Sequence, residues 1–128
     1  MHNLTSPDNS NASVERQIQS KGLTAPRVTP AALKANIVSA HYFTALQGAM
    51  YPNSMDDPSE EDAAALSLLT FCVLVLQNGF TVSGESACAS AENFDAQVGR
   101  QIARQNAEQK IWPLMGYALK QQLSQEVA

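Results

Sequence analysis

Residues Leu68–Ser86 read LLTFCVLVLQNGFTVSGES, two apolar, β-branched runs separated by Asn78-Gly79. Asn-Gly between such runs signals a hairpin, because both central positions of a type I′ turn need φ > 0 and Asn and Gly tolerate it best. A two-residue loop there sets Gln77 opposite Phe80, Val75 opposite Val82, Val73 opposite Gly84 and Cys72 opposite Glu85. Side chains alternate across a strand, so this register gathers Phe71, Val73, Val75, Phe80 and Val82 on one face. Cys72, Leu74, Leu76, Thr81, Ser83 and Glu85 take the other. The first is expected to be the core face. The second is mixed, and Leu74 and Leu76 on it need a cover.

Downstream, ENFDAQVGRQIARQNAEQKIW (Glu92–Trp112) reads as a long helix, with Ser90 as N-cap and Glu92 favourably placed for the helix dipole. Phe94, Val98 and Ile102, spaced by four, form a large apolar stripe. Ala96, Gly99, Ala103 and Ala107 form a strip of small residues where a second backbone or a ligand can come close. Arg100 and Arg104 border that strip. Pro113 removes a backbone donor, so the helix is expected to kink or turn at Trp112, with helical character continuing through Leu114, Met115, Tyr117, Ala118, Leu119 and Leu123. The fold class is therefore α+β: a small antiparallel sheet built on the hairpin, packed on a long C-terminal helix or helical hairpin.

Upstream, residues 1–28 are rich in Asn, Ser, Gln and Thr without sustained period. They read as a flexible leader with a short helical piece around Val14–Gln19. Its Asn-X-Ser/Thr triplets at Asn3 and Asn11 are acceptor patterns only in a secreted protein and are discounted. Thr29-Pro30 opens a helix as N-cap and first helical residue, and the helix is expected to end near Ser39. For His41-Tyr42-Phe43-Thr44 two readings stand: a third strand beside the hairpin, or helix continuing to Leu46. Residues 48–62 read as an acidic loop, with Asp56, Asp57, Glu60, Glu61 and Asp62 forming a solvated connector without the hinge glycine or alternating ligands of a calcium loop. Residues 29–125 then form a single domain, which suits a chain of 128 residues.

The formal net charge is −4, but without those five acids the remainder carries about +1, so acidity describes the loop and not the fold. A general nucleic-acid coat is disfavoured. No apolar run approaches the length of a membrane span, and no signal-peptide pattern opens the chain. Cys72 and Cys88 fall on opposite faces of the expected hairpin, which disfavours a disulfide and suits a reducing cytosol.

The chemistry is sparse. His2 and His41 stand apart from Cys, Asp or Glu at ligand spacing, so no metal is expected. The cysteines have no histidine partner, and Gly84-Glu85-Ser86 lacks the second glycine of a nucleophile elbow, so neither an enzyme nor a cofactor is expected. Arg100 and Arg104, one turn apart, are the best lead. Their guanidinium groups either grip a phosphate bidentately or form a solvated face, with Arg104 paired to Glu108. Phe80 at the hairpin tip either stacks on a base or joins Val75 and Val82 in the core. Trp112 beside Pro113 reads as a packing anchor. Leu74 and Leu76, left over by the core face, point to a partner subunit and hence a homo-oligomer, unless the helix at residues 29–39 covers them.

Four strings together go beyond composition: VTPAALKANIVSAHYFTA (28–45), LTFCVLVLQNGFTVSGESACAS (69–90), ENFDAQVGRQIARQNA (92–107) and KIWPLMGYALK (110–120). In order and wording they resemble a small family of tailed-phage proteins in which NGFTV-GESAC and a WPL-GY ending recur. The resemblance covers roughly Val28 to Leu123. More loosely, strands followed by a long helix are similar to phage-encoded sponges that sequester the cyclic ADP-ribose-type or cyclic oligonucleotide signals of the Thoeris and CBASS defences. In those sponges an aromatic residue and helix arginines one turn apart hold the nucleotide at subunit interfaces. The resemblance implies an anti-defence protein in the cytoplasm of the infected host, binding its ligand without catalysis through Phe80, Asn93, Arg100 and Arg104. The alternative is a host-takeover module whose helical surface binds a bacterial protein.

Overall fold

Among the described residues, three antiparallel strands, neighbours in chain order, carry one long helix on a single face. The computed structural model describes residues 11–52 and 56–126. Along the chain, α1 (Asn11–Ser20) and α2 (Pro30–Ala35) precede β1 (Ile37–Thr44). Next come α3 (Ala45–Ala49), α4 (Glu60–Leu66) and β2 (Leu69–Leu76). β3 (Thr81–Ala87) and a short 3-10 turn (Ala91–Asn93) then lead to α5 (Ala96–Glu126). The architecture is α+β, as the hairpin and the helical period imply.

The hairpin forms one residue out of the expected register. The Gly79 N–H donates to the Leu76 carbonyl and the Leu76 N–H to the Phe80 carbonyl, both at 2.9 Å. The loop is therefore Gln77-Asn78-Gly79, closed by Gly79 at φ +87, which is the three-residue solution with a left-handed glycine in third place. Asn78 contributes through its side chain, whose Oδ1 accepts the Phe80 N–H at 2.9 Å. Val75 now pairs with Thr81, Leu74 with Val82 and Cys72 with Gly84. Because the side-chain period is two, the slip moves the whole of β3 to the opposite face. Val82 joins Cys72 and Leu74, and Phe80 is left exposed at the tip.

On β2 the buried face is the one expected to be mixed, whereas on β3 the slip buries Val82 of the expected core face and exposes Thr81, Ser83 and Glu85. Thr70, Cys72, Leu74 and Leu76 of β2 and Val82, Gly84 and Ser86 of β3 are buried. Above them lie Gly99, Ala103, Ala107 and Ile111 of α5. Gly84 explains the choice. A Cβ at that position would overlap the backbone of Ala103 and Ala107, so helix and strand touch main chain to main chain. Only small helix residues fit such a gap, and the strip at 99, 103 and 107 supplies them. Full burial of Leu74 and Ile111 contributes about 1.5–3 kcal/mol each. Leu74 and Leu76 are thus covered within their own chain, in one core cluster with Ala103, Ala107 and Ile111 of α5 and Leu33 of α2, which removes the original motive for a partner subunit.

The expected core residues Phe71, Val73 and Val75 are only half-buried. They lie on the outer face, where Phe71 stacks on Phe43 with ring centroids 5.5 Å apart. The stripe Phe94, Val98 and Ile102 is likewise half-buried, flanking the helix's contact with the sheet. Phe94 precedes the helix. Asp95, not Ser90, caps α5, its Oδ1 accepting the Val98 N–H at 3.0 Å, while Ser90 opens the 3-10 turn.

Thr29 caps α2 as expected, its Oγ1 accepting the Ala32 N–H at 3.0 Å with Pro30 in the first turn. The helix stops earlier than the sequence implied. Asn36 closes it and accepts the Gln77 N–H on both its carbonyl (3.0 Å) and its Oδ1 (3.1 Å). Tied to the hairpin end, the chain becomes strand at Ile37, so the strand reading of His41–Thr44 holds and begins four residues sooner.

The acidic stretch is only partly loop. Ser59 caps α4 by accepting the Asp62 N–H at 3.1 Å, and Glu60, Glu61 and Asp62 occupy its first turn, where negative charge favours the helix dipole. Residues 53–55 of that stretch, and 1–10 of the expected leader, lie outside the described residues. Residues 11–20 of the leader form α1, which buries no residue and is held by a Glu15–Arg27 ion pair at 2.7 Å. Arg27 and its hydrogen bond, with help from Gln19, lower the Glu15 pKa to about 2.

α5 neither reverses nor stops at Pro113. Pro113 and Gln109, whose carbonyl loses the N–H donor that a proline lacks, both sit on the exposed side, where the carbonyl is open to solvent. Cys72 and Cys88 are free. Cys88 bonds the Leu68 carbonyl through its N–H, four strand residues or roughly 13 Å along from the level of Cys72, which rules out a disulfide.

Candidate functional site

α5 lies over β3 and β2 and stops short of β1. The inner face of β1 is therefore a half-open shelf beside the helix, with Ile37 and Ala40 packed against the core and Tyr42 37% exposed. Its floor is Ala40, Tyr42 and Thr44, which pair with the inward-facing Leu74, Cys72 and Thr70. Its wall is the flank of α5 carrying Arg100, Arg104 and Glu108, each one helical turn from the next.

The Arg104 Nη1 reaches the Tyr42 hydroxyl at 3.5 Å, and its Nε donates to Glu108 Oε2 at 3.0 Å. The Tyr42 hydroxyl, then the Glu108 carboxylate, raise the Arg104 pKa above its ordinary value. By distance Glu108 is the firmer anchor, because 3.5 Å is long for a hydrogen bond. Tyr42 pairs in the sheet with Cys72, whose thiol pKa burial pushes up against a smaller lowering effect of Tyr42. That thiol is fully buried and held as a neutral packing group. Arg100 leaves Gly99 on the same flank and is exposed, with no ion pair among the described residues.

The four residues singled out by sequence are not all gathered here. Arg100 and Arg104 share the flank. Asn93 is exposed in the 3-10 turn, two residues before the Asp95 cap, at the same end of the helix as Arg100. Phe80 is exposed at the hairpin tip. Gly99 packs on Thr70, whose β3 partner is Ser86, so Phe80 lies six strand residues, roughly 20 Å, from the level of Arg100. The aromatic residue beside the arginines is Tyr42. The alternation of His41-Tyr42-Phe43-Thr44 as a strand was the signal that could have found it. The small strip at 99, 103 and 107, expected to let a second backbone or a ligand come close, admits the backbone of β3 at Gly84.

A second concavity, about 640 Å³, opens between α2 and the C-terminal half of α5. Val28, Ala32, Ala35, Met115, Ala118 and Leu119 make it apolar, and its one charged group, Arg27, is already paired with Glu15. It offers no paired cations for a phosphate. Among the described residues no cluster of His, Cys, Asp and Glu could hold a metal ion, and no helix is long and apolar enough to cross a membrane.

Residues 28–123 match the phage protein (N4 Gp49/phage Sf6 gene 66) family. The chain belongs to this family. The match runs from Val28, just before the cap of α2, to Leu123 in the last turns of α5, so it takes in the whole sheet, the shelf and the helix flank. It leaves out α1. No curated protein and no solved structure matches the chain.

Proposed function

We propose that this phage-family protein binds and sequesters a cyclic nucleotide signal, of the cyclic ADP-ribose type or a cyclic oligonucleotide, in the cytoplasm of the infected bacterium. The carrying observation is the pair Arg100 and Arg104 on one flank of α5, beside the partly exposed aromatic ring of Tyr42. Two guanidinium forks one turn apart suit adjacent phosphate oxygens, and an aromatic floor suits a base. Arg104 exchanges its Glu108 partner for phosphate, while Arg100 is free to bind directly. Asn93 supplies a polar contact to a ligand that extends towards the start of α5. Phe80 contributes only to a ligand or copy that reaches the hairpin tip. Binding is proposed without catalysis, the one carboxylate of the wall, Glu108, being engaged by Arg104.

A second reading is favoured by Leu114 and Tyr117, which are 40% and 75% exposed on α5. There the helical surface would bind a bacterial protein instead. Incubation with a panel of cyclic nucleotides, followed by mass spectrometry of what the protein retains, separates the two. Retention of one nucleotide, recovered chemically unchanged, supports sequestration. Retention of none sinks it and leaves the protein-partner reading.

A further inference from the structure

We infer that the free edge of β1 is an interface with a second copy of this chain, the two β1 strands pairing antiparallel about His41 into one six-stranded sheet. The inference stands on the edge itself, whatever the shelf binds.

The two edges of the sheet are treated differently. On β3 the Asn106 Nδ2 of α5 donates to the Glu85 carbonyl at 2.8 Å, and the helix lies directly over the strand. β1 pairs with β2 alone among the described residues. Among the described residues, only Gln47 reaches its outer backbone, bonding the Thr44 N–H where the strand ends. The sequence IVSAHYFT has no proline, lysine or carboxylate, the usual guards of an open edge. Val38, Tyr42 and Phe43 on it are 59%, 37% and 38% exposed. An eight-residue strand with unpaired N–H and C=O groups and apolar side chains is a template for another strand.

The strand fits itself. Pairing about His41 sets Ala40 against the partner's Tyr42 and Ser39 against the partner's Phe43, and the two-fold repeats both contacts. The Tyr42 and Phe43 rings of one copy then meet small residues of the other, and the two His41 side chains face each other at the axis. The ends match in charge as well. α2, with exposed Lys34, precedes β1. α3 packs at its far end, with α4 and its exposed Glu60, Glu61 and Asp62 against α3. Antiparallel pairing brings the basic end of one copy beside the acidic end of the other, twice. The two-fold axis is perpendicular to the sheet, so both α5 helices stay on one face. The two shelves become one trough, floored by both Tyr42 side chains and walled on either side by Arg100 and Arg104.

The test uses the full chain with Cys88→Ser, leaving Cys72 buried. Light scattering should give about twice 13.8 kDa at micromolar concentration. With His41→Cys added, mild oxidation should link most chains into covalent dimers, because residues facing each other on an antiparallel two-fold lie about 4.5–5.5 Å apart at Cα. Val38→Cys should not link, since the two copies of residue 38 sit six strand residues apart, roughly 20 Å. A monomeric wild type, a His41→Cys variant that stays unlinked, or a Val38→Cys variant that links as readily would each overturn the inference. None of these readouts involves a nucleotide, so failure here and failure of nucleotide binding are distinguishable.

Discussion

Gly84→Ala should pry α5 off the sheet. A Cβ at Gly84 lands on the Ala103 carbonyl oxygen and the Ala107 nitrogen, with the Asn106 carbonyl carbon 2.8 Å away. All three atoms are main chain within a 31-residue helix, so no rotamer change relieves the overlap and the helix must lift. Overpacking where side chains can yield costs about 1–3 kcal/mol. Here the lift also loosens Leu74, Val82 and Ile111, so we expect about 3 kcal/mol or more. Two other glycines of α5 serve as controls. A Cβ at Gly99 meets the Thr70 Oγ1 at 3.2 Å, a mild crowding that roughly offsets the gain of about 1 kcal/mol from Ala over Gly inside a helix. At Gly116 nothing lies within 4 Å, so only the gain remains. For a chain of this size 1 kcal/mol moves Tm by about 3–5 °C. Thermal unfolding followed by circular dichroism should therefore show Gly84→Ala lower by about 10–15 °C, Gly99→Ala near wild type and Gly116→Ala higher by about 3–5 °C. A Gly84→Ala protein melting with wild type would refute the helix-on-strand contact from which the core assignment follows.

Other outcomes follow from the shelf and from α1. Arg100→Lys keeps the charge but loses the planar fork, and titration calorimetry should show affinity for the bound nucleotide down about tenfold; an unchanged Kd would make Arg100 a simple point charge. Glu108→Gln frees Arg104 from a partly exposed pair worth up to about 1 kcal/mol, so affinity should rise by up to about fivefold, and a fall would mean that Glu108 positions Arg104 for the ligand. The Glu15 pKa is lowered from 4.5 to about 2, so the Glu15–Arg27 contact is complete above about 4.5 and lost as pH falls towards 2. A carboxyl titration followed by NMR should place Glu15 near the lower value in wild type and back in the ordinary range in Arg27→Ala; equal midpoints would remove the contact from the account.

The elements were legible in the sequence to different depths. Thr29-Pro30, Asn78-Gly79 and the 3.6-residue period after Asp95 each announce their structure locally, and all three elements formed. What failed was register, for a definite reason. Asn-Gly serves both a two-residue loop and a three-residue loop ending in a left-handed glycine, and only long-range packing chooses between them. That packing is Gly84 under Ala103 and Ala107, a contact between distant parts of the chain that no local pattern encodes. Once the helix touches the strand main chain to main chain, the small strip must face inward, and the bulkier Phe94, Val98 and Ile102 cannot. The same contact determines the buried face of β2, so Cys72, Leu74 and Leu76 go in and Phe71, Val73 and Val75 go out. The site was half legible. Two arginines spaced by four share a helix flank by geometry alone, whereas their aromatic neighbour depended on which strand α5 leaves uncovered. Tyr42 follows from that strand order, and Phe80 is excluded from the shelf by the length of β3.

The most direct test of the account is calorimetric titration of wild type and of Arg100→Ala/Arg104→Ala with cyclic di- and trinucleotides and cyclic ADP-ribose isomers, with Tyr42→Ala alongside. Each charge-assisted contact in a partly desolvated shelf is worth about 1.5–3 kcal/mol, so the double variant should lose about two to four powers of ten in affinity for whichever nucleotide wild type binds. Tyr42→Ala should lose about tenfold through the missing stack while keeping the fold. A wild type that binds none of these ligands, or a double variant that binds as tightly as wild type, would contradict the account.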